Sequence, residues 1–110
     1  MADIQKYVDD IAKYDDTVNE KLVEVLYGSL ASILGNQDAA NVSCSDDSEL
    51  ETVKKNFIEK KLEITDDEKA DEAIKTVCEM MKGDNSKNRL TFYYLLTQEL
   101  RCIGKMTGED

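Results

Sequence analysis

Apolar residues recur at helical spacing along most of this chain, and no proline interrupts them. An α-helix buries one face when apolar residues stand at positions i, i+3, i+4 and i+7. Near the amino terminus this spacing is met by Ile4, Tyr7, Val8 and Ile11. Because proline is the strongest helix breaker, its absence leaves polar segments and glycines to end the helices. The pattern therefore predicts an all-α protein.

We predict five helices, at about residues 3–14, 17–34, 45–62, 65–82 and 85–103. Thr17 and Thr65 each begin a capping box, in which a glutamate follows the threonine by three residues. Gly35 and Gly83 follow the second and fourth helices, where a left-handed residue commonly ends a helix. The tail, residues 105–110, is expected to fray.

The fifth predicted helix is apolar around most of its circumference, through Leu90, Phe92, Tyr93, Tyr94, Leu95, Leu96 and Leu100. A helix of that kind belongs in the middle of a bundle. The sequence thus predicts one domain over residues 1–110, a compact bundle of about five helices around a central hydrophobic C-terminal helix. Tyr93 and Tyr94 are expected in the core with their hydroxyl groups hydrogen-bonded.

Acidic residues outnumber basic ones by 24 to 14, which gives a formal net charge of −10. Such a surface repels phosphate backbones and anionic lipids, so we expect neither nucleic acid nor a membrane as partner. The expected partner is instead another protein with a basic face, or a second copy of the chain. Residues 1–6 contain no apolar signal core, and we expect a cytoplasmic protein.

The chain contains no histidine, which removes the usual general base at neutral pH and a common metal ligand. The acids do not fit a calcium loop, since a loop that starts at Asp84 has Arg89 where glycine is needed. Three scattered cysteines without Cys-x-x-Cys spacing form no recognisable zinc site. We therefore expect no metal and no cofactor, and the leading hypothesis is an interaction protein without catalytic activity.

The cysteines Cys44, Cys78 and Cys102 are widely spaced and odd in number, and we interpret them as reduced thiols. Cys44 stands just before a predicted helix start, where the helix dipole can favour a thiolate. A redox sensor or enzyme that uses Cys44 is therefore one alternative function. The other interpretation of Cys44 is a small buried residue. Cys78 and Cys102 fall on helical faces, and we expect both in the core.

Basic residues near the end of the third predicted helix and the start of the fifth suggest a polar or anion site. If these ends adjoin, the N–H groups at the start of the fifth helix would add to it. The candidate residues are Cys44, Ser45, Asp46, Lys61, Lys87 and Arg89. The alternative is that the cations pair with neighbouring acids such as Asp46 and Asp84.

A second alternative function concerns Ser48, near the start of the third predicted helix. The segment is similar to a carrier-protein attachment site, where a serine at a helix start takes phosphopantetheine. Glu49 interrupts the Asp-Ser-Leu pattern usual in carriers, and an ordinary helix cap supplies the same residue types. A carrier-like protein that uses Ser48 is therefore kept behind the Cys44 hypothesis.

Two stretches carry a resemblance to a known family. One is residues 42–46 with Glu49, Leu50, Val53, Phe57 and the run 60–62, and the other is residues 77–82 with Asp84, residues 86–87, Arg89 and residues 91–96. Together with residues 6–7 and 13–15, they resemble the small bacterial proteins of domain-of-unknown-function family 2853, over nearly the whole chain. The resemblance implies an all-helical cytosolic fold and brings no activity, substrate or catalytic residue. The chain departs from the family pattern at residues 35–40 and after Leu100.

Overall fold

The computed structural model describes residues 4–34, 41–83 and 87–108, and this part of the chain is mostly helical. Its α-helices are α1 (Gln5–Ile11), α2 (Glu20–Leu34), α3 (Asp47–Val53), α4 (Asp67–Met80), α5 (Arg89–Glu99) and α6 (Ile103–Thr107). A π-helix, Lys54–Glu59, continues directly from α3. The described ranges contain no strand, and their one isolated bridge joins Asn41 to Asn88. The predicted all-α bundle is thus confirmed.

Helix α5 lies at the centre of the bundle. Residues 89–97 are all buried, and α5 packs against α1, α2, α4 and α6. This confirms the central hydrophobic helix that the sequence predicts. The helix ends at Glu99, earlier than expected, because Arg101 adopts a left-handed φ of 58° before α6 begins. Among the described residues, no helix combines the length and the apolar character that crossing a membrane requires.

Two helix starts lie slightly later than the predicted capping boxes. Helix α2 begins at Glu20, and Asn19 caps it by accepting the N–H of Leu22 at 3.1 Å. Helix α4 is capped by Asp66 rather than by Thr65. Asparagine and aspartate cap at least as well as threonine, so where both are available the amide or the carboxylate can take the position. The predicted glycine stop at residue 35 lies outside the described residues.

The π-helix is a feature that hydrophobic periodicity did not predict. Its wide turns are seen in the hydrogen bond from the Leu62 N–H to the Phe57 carbonyl oxygen, 3.0 Å long. Phe57 and Ile58 are consecutive residues, yet both are buried. Phe57 stacks on Tyr93 of α5, with 4.1 Å between the ring centroids. The π-helix therefore packs an aromatic ring directly on the central helix.

The carboxyl-terminal residues include a short helix that the sequence did not predict. Residues 105–107, part of the tail expected to fray, belong to α6. Thr107 is buried, and its hydroxyl group donates to the carbonyl oxygen of Ile103 at 3.0 Å. Gly108 ends the helix with a φ of 77°, a left-handed conformation that glycine adopts without strain. The last two residues, 109–110, lie outside the described part.

Candidate functional site

A cavity of about 290 Å³ opens between α2, the α3–π segment and α5. Its walls are largely apolar. We call it the Arg89 pocket, and its lining residues are Leu26, Ser29, Leu30, Glu49, Thr52, Asn56, Phe57, Lys61, Arg89 and Tyr93. Three separate segments of the chain build it, so its shape depends on how α3 is held against α5.

Arg89 is the buried charge in this pocket, with 7% of its surface exposed. Its Nη1 group donates to the hydroxyl oxygen of Tyr93 at 3.0 Å, and its Nη2 group to the Asn41 carbonyl oxygen at 3.4 Å. The same Nη2 group forms an ion pair with the carboxylate of Glu49. Glu49 therefore balances the guanidinium charge, and a buried cation of this kind needs such a partner.

The electrostatics of the pocket follow from this pairing. Burial works against the charge on Arg89, but Tyr93 and Glu49 outweigh it and raise the pKa of the guanidinium. Burial also raises the pKa of the Tyr93 hydroxyl, while the positive charge of Arg89 opposes that rise. Tyr93 is thus neutral and Arg89 charged at physiological pH. Lys61, which is exposed, adds a second positive charge to the pocket lining.

The six residues predicted as one polar site are divided among different places. Lys61 and Arg89 share the Arg89 pocket. Cys44, Ser45 and Lys87 line a separate cleft. Asp46 caps α3, where its carboxylate accepts the N–H groups of residues 48 and 49 at 3.0 and 3.3 Å. The first N–H groups of α5 are also occupied, because the Asn88 side chain accepts those of residues 90 and 91.

Glu49 is the residue of the pocket that the sequence did not reveal. Arg89 and Tyr93 are four residues apart on one helix, so their contact could be read from helical geometry. Glu49 lies 40 residues before Arg89 in the chain, and no local pattern connects the two. Of the two acids that the sequence suggested as ion-pair partners, Asp46 caps α3 and Asp84 lies outside the described residues.

The prediction of three reduced thiols is wrong for two of them. Cys44 and Cys78 form a disulfide, with their Cα atoms 5.9 Å apart. The turn before α3 adjoins the last turn of α4, and this brings together two residues separated by 34 positions. Both cysteines are partly buried and pack against the core, so Cys78 borders the core rather than lying inside it. Cys102 lies outside the disulfide and is partly buried, with its sulfur 3.4 Å from the Leu100 carbonyl oxygen.

Two surface clefts meet at this disulfide, and each is lined by both of its cysteines. One, of about 430 Å³, extends along α3 and α4 and includes Lys54 and Asp71. The other, of about 630 Å³, includes Asn41, Ser45 and Lys87. A small molecule can therefore approach the sulfur atoms from either side.

The carrier hypothesis gains no support from the geometry. Ser48 is exposed in the first turn of α3, and its carbonyl oxygen accepts the Thr52 hydroxyl at 3.0 Å. An exposed serine near a helix start is also what an ordinary cap gives, so attachment at Ser48 stays a prediction. No group of three or more acidic, cysteine or histidine side chains within the described ranges could hold a metal ion.

The opposite face of α5 carries polar residues that bond to acids near α1. We call it the closed face. The Thr91 hydroxyl donates to Asp10 at 2.6 Å, and the Tyr94 hydroxyl donates to Asp15 at 2.9 Å. The Tyr94 oxygen also accepts the backbone N–H of Asn19 at 2.7 Å. Burial raises the pKa of Tyr94 to about 12. Tyr93 and Tyr94 are both buried and both have hydrogen-bonded hydroxyl groups, as the sequence predicts.

These features define a small all-α protein with an apolar pocket at a buried arginine and a disulfide that joins α4 to the turn before α3. The family model described as "Protein of unknown function (DUF2853)" matches residues 6–103, and the chain belongs to that family. The resemblance noted from the sequence is thereby confirmed as to the family. No curated protein matches the chain.

Proposed function

We propose that this protein is a non-catalytic binding module, and that the Arg89 pocket receives an apolar side chain of a partner protein. The observation that carries the proposal is an open, largely apolar cavity with a buried Arg–Tyr–Glu network in its wall. Arginine and tyrosine are the residue types that concentrate binding energy at protein interfaces. Apolar pockets with a few fixed polar groups are also the usual form of binding sites.

The chemistry of the pocket favours an uncharged group inside it. Glu49 already neutralises Arg89, so a ligand carboxylate would have to displace an existing ion pair. Leu26, Leu30 and Phe57 line the cavity with apolar side chains, which suits an aliphatic or aromatic group. We therefore infer that the anchor is a large apolar residue.

The charge of the whole molecule favours a basic partner. The net charge is −10, and exposed acids such as Asp47 and Glu51 stand on α3 beside the pocket residues. Such a surface attracts a segment rich in lysine and arginine and speeds its association. A second copy of the chain would bring the same −10 charge and be repelled. The proposed partner is thus a basic segment with an apolar anchor, and the cytoplasmic location expected from the sequence is part of the proposal.

Selection of random peptides displayed on phage against the immobilised protein tests this proposal. We expect enrichment of peptides in which an aromatic or aliphatic residue is flanked by lysine or arginine. A synthetic copy of an enriched peptide should bind the native protein, and added salt should weaken the binding.

Two matched variants locate the binding site of that peptide. Thr52→Phe places a ring in the Arg89 pocket, whereas Thr76→Phe places the same ring in a different cavity, between α4 and the end of α5. Both threonines are exposed on helices, so neither change removes core packing. We expect Thr52→Phe to weaken binding by about tenfold or more and Thr76→Phe to leave it unchanged. Equal affinities for the two variants, or no basic–apolar enrichment, would refute the proposal.

The second candidate function is redox sensing by Cys44, and the disulfide favours it. A sensor cysteine needs exposure to solvent and a second cysteine with which it can form a disulfide. Cys44 is partly exposed, and Cys78 is its disulfide partner. Equilibration with graded ratios of reduced and oxidised glutathione, followed by thiol blocking and mass measurement, tests this role. Reversible interconversion of the pair within the range of cellular ratios would support it. A pair that stays fully oxidised or fully reduced throughout would rule it out.

A further inference from the structure

We propose that the Cys44–Cys78 disulfide is a redox latch for the Arg89 pocket: the oxidised form fixes the pocket for binding, and reduction weakens it. This inference rests on the proposed binding function and names its regulation. Its basis is the position of Cys44, which lies between the segment that covers Arg89 and the helix that supplies Glu49.

The first link is the segment at residues 41–46. The Val42 N–H donates to the Lys87 carbonyl oxygen at 2.8 Å, and Val42 is buried. The carbonyl oxygen of Asn41 accepts from Arg89. The segment thus pairs with the chain just before α5 and contributes directly to the surroundings of Arg89. The disulfide attaches this same segment to α4.

The second link is α3, which begins at Asp47, three residues after Cys44. Asp46 caps the helix, and Glu49 and Thr52 then reach the Arg89 pocket. Other polar contacts between this region and α4 are ion pairs of Lys54, at 3.3 Å from Asp71 and 3.9 Å from Asp67. Their acidic partners are exposed, and exposed pairs contribute little. The covalent bond is therefore the main tie that fixes the start of α3 relative to α4.

The disulfide lies at the protein surface. Both cysteines are partly exposed and both line the two clefts, which gives a low-molecular-weight thiol a path to the bond. The thiolate of this reductant attacks one sulfur, the protein S–S bond breaks, and a mixed disulfide forms while the other cysteine leaves as a thiolate. A second molecule of the same thiol attacks the mixed disulfide. The products are the oxidised small-molecule disulfide and two protein thiols, which carry the two protons of the reductant.

The expected effect on binding follows from preorganisation. With the bond intact, α3 holds Glu49 and Thr52 in place. A ligand then loses little binding free energy to the ordering of these two side chains. With the bond reduced, the start of α3 keeps the hydrogen bonds of residues 41–46 and the Glu49–Arg89 ion pair, but it loses its covalent link to α4. A ligand must then restrict this motion, and its affinity falls. A reducing cytoplasm fits this role, because cytosolic disulfides are mostly transient and redox-sensing.

The test measures the peptide described above against oxidised and reduced protein, in a Cys102→Ser background that prevents exchange with the third cysteine. We expect reduction to weaken binding by about fivefold or more. By linkage, a saturating concentration of peptide should make the disulfide harder to reduce by the same factor. Equal affinity in the two forms, with the peptide bound, would overturn the latch and leave the binding function standing.

A second measurement decides the matter without any ligand. Amide hydrogen exchange is compared between oxidised protein, reduced protein and the Cys44→Ser/Cys78→Ser variant, after circular dichroism has shown that all three remain helical. We expect faster exchange in α3 and at Val42 in both forms that lack the bond, with α5 unaffected. Unchanged exchange in α3 would refute the latch, even if no peptide binds and the proposed function itself fails.

Discussion

Tyr93 and Tyr94 are neighbours in the sequence, yet they serve two different sides of the same buried helix. Arg89 and Tyr93 point toward the Arg89 pocket, whereas Thr91, Tyr94 and Gln98 form the closed face. At about 100° per residue, the two groups lie on roughly opposite sides of α5. Each side has a buried tyrosine hydroxyl and an acid from elsewhere in the chain.

The difference between the two sides is a cation and an open cavity. The closed face joins hydroxyl and amide groups to Asp10 and Asp15, and the four cavities named above contain none of these residues. On the pocket side, a buried guanidinium meets Glu49 beside apolar surface that a ligand can reach. Hydrogen-bonded polar groups on both sides help to specify the fold. The pocket side is the candidate site because it also has a cavity.

We expect the greatest loss of stability from removing Glu49, because its carboxylate pairs with a buried guanidinium. We predict that Glu49→Ala lowers the free energy of unfolding by about 3 kcal/mol. Urea denaturation measures this. Glu51→Ala on the same helix is the control: the Glu51 side chain is exposed and its partner Lys54 keeps Asp71, so the loss should stay below about 1 kcal/mol. Similar losses for both variants would mean that the buried charge of Arg89 does not depend on Glu49.

The next effect concerns the Tyr94 hydroxyl on the closed face. Tyr94→Phe removes the acceptor of the Asn19 N–H and the donor to Asp15, so we predict a loss of about 2 kcal/mol in unfolding free energy. On the pocket side, Tyr93→Phe should cost less, about 1 kcal/mol, because Arg89 keeps Glu49 as a partner. A greater loss for Tyr93→Phe than for Tyr94→Phe in thermal or urea denaturation would contradict this comparison of the two sides.

The closed face should also control stability at high pH. Burial raises the folded pKa of Tyr94 from 10.0 to about 12, so folding favours its protonated form. The associated stability is fully present below pH 10, the unfolded value, and is lost as the pH rises through about 12. We predict a fall in unfolding free energy across this window that is smaller in Tyr94→Phe. Identical pH profiles for the two proteins would contradict the burial of this hydroxyl.

The smallest effect is expected at the far end of the closed face. Thr91→Val removes the hydroxyl that donates to Asp10, which keeps Lys13 as an ion-pair partner and some exposure to water. We therefore predict a loss of only about 1 kcal/mol or less, measured as a shift in the urea midpoint. A loss as large as that of Glu49→Ala would show that the closed face carries more of the stability than the pocket side.

The central helix could be predicted from the sequence but the pocket could not, because the pocket depends on contacts between distant segments. Residues 90–96 are aliphatic or aromatic at every position except Thr91, so their burial could be predicted from residue type alone. The contacts of Glu49 with Arg89 and of Cys44 with Cys78 span 40 and 34 residues. Such contacts depend on the path of the whole chain. The π-helix was likewise hidden, because the apolar residues around Phe57 suit an ordinary helix equally well.

The most direct test of the account is to map where a selected basic–apolar peptide binds, using backbone amide chemical shifts of the oxidised protein. We predict that the largest changes fall on α2 near Leu30, on α3 and the π-helix, and at Arg89 and Tyr93. The amides of residues 10–19, which contact the closed face, should barely move. Changes concentrated at residues 10–19, with the pocket amides unaffected, would contradict the account.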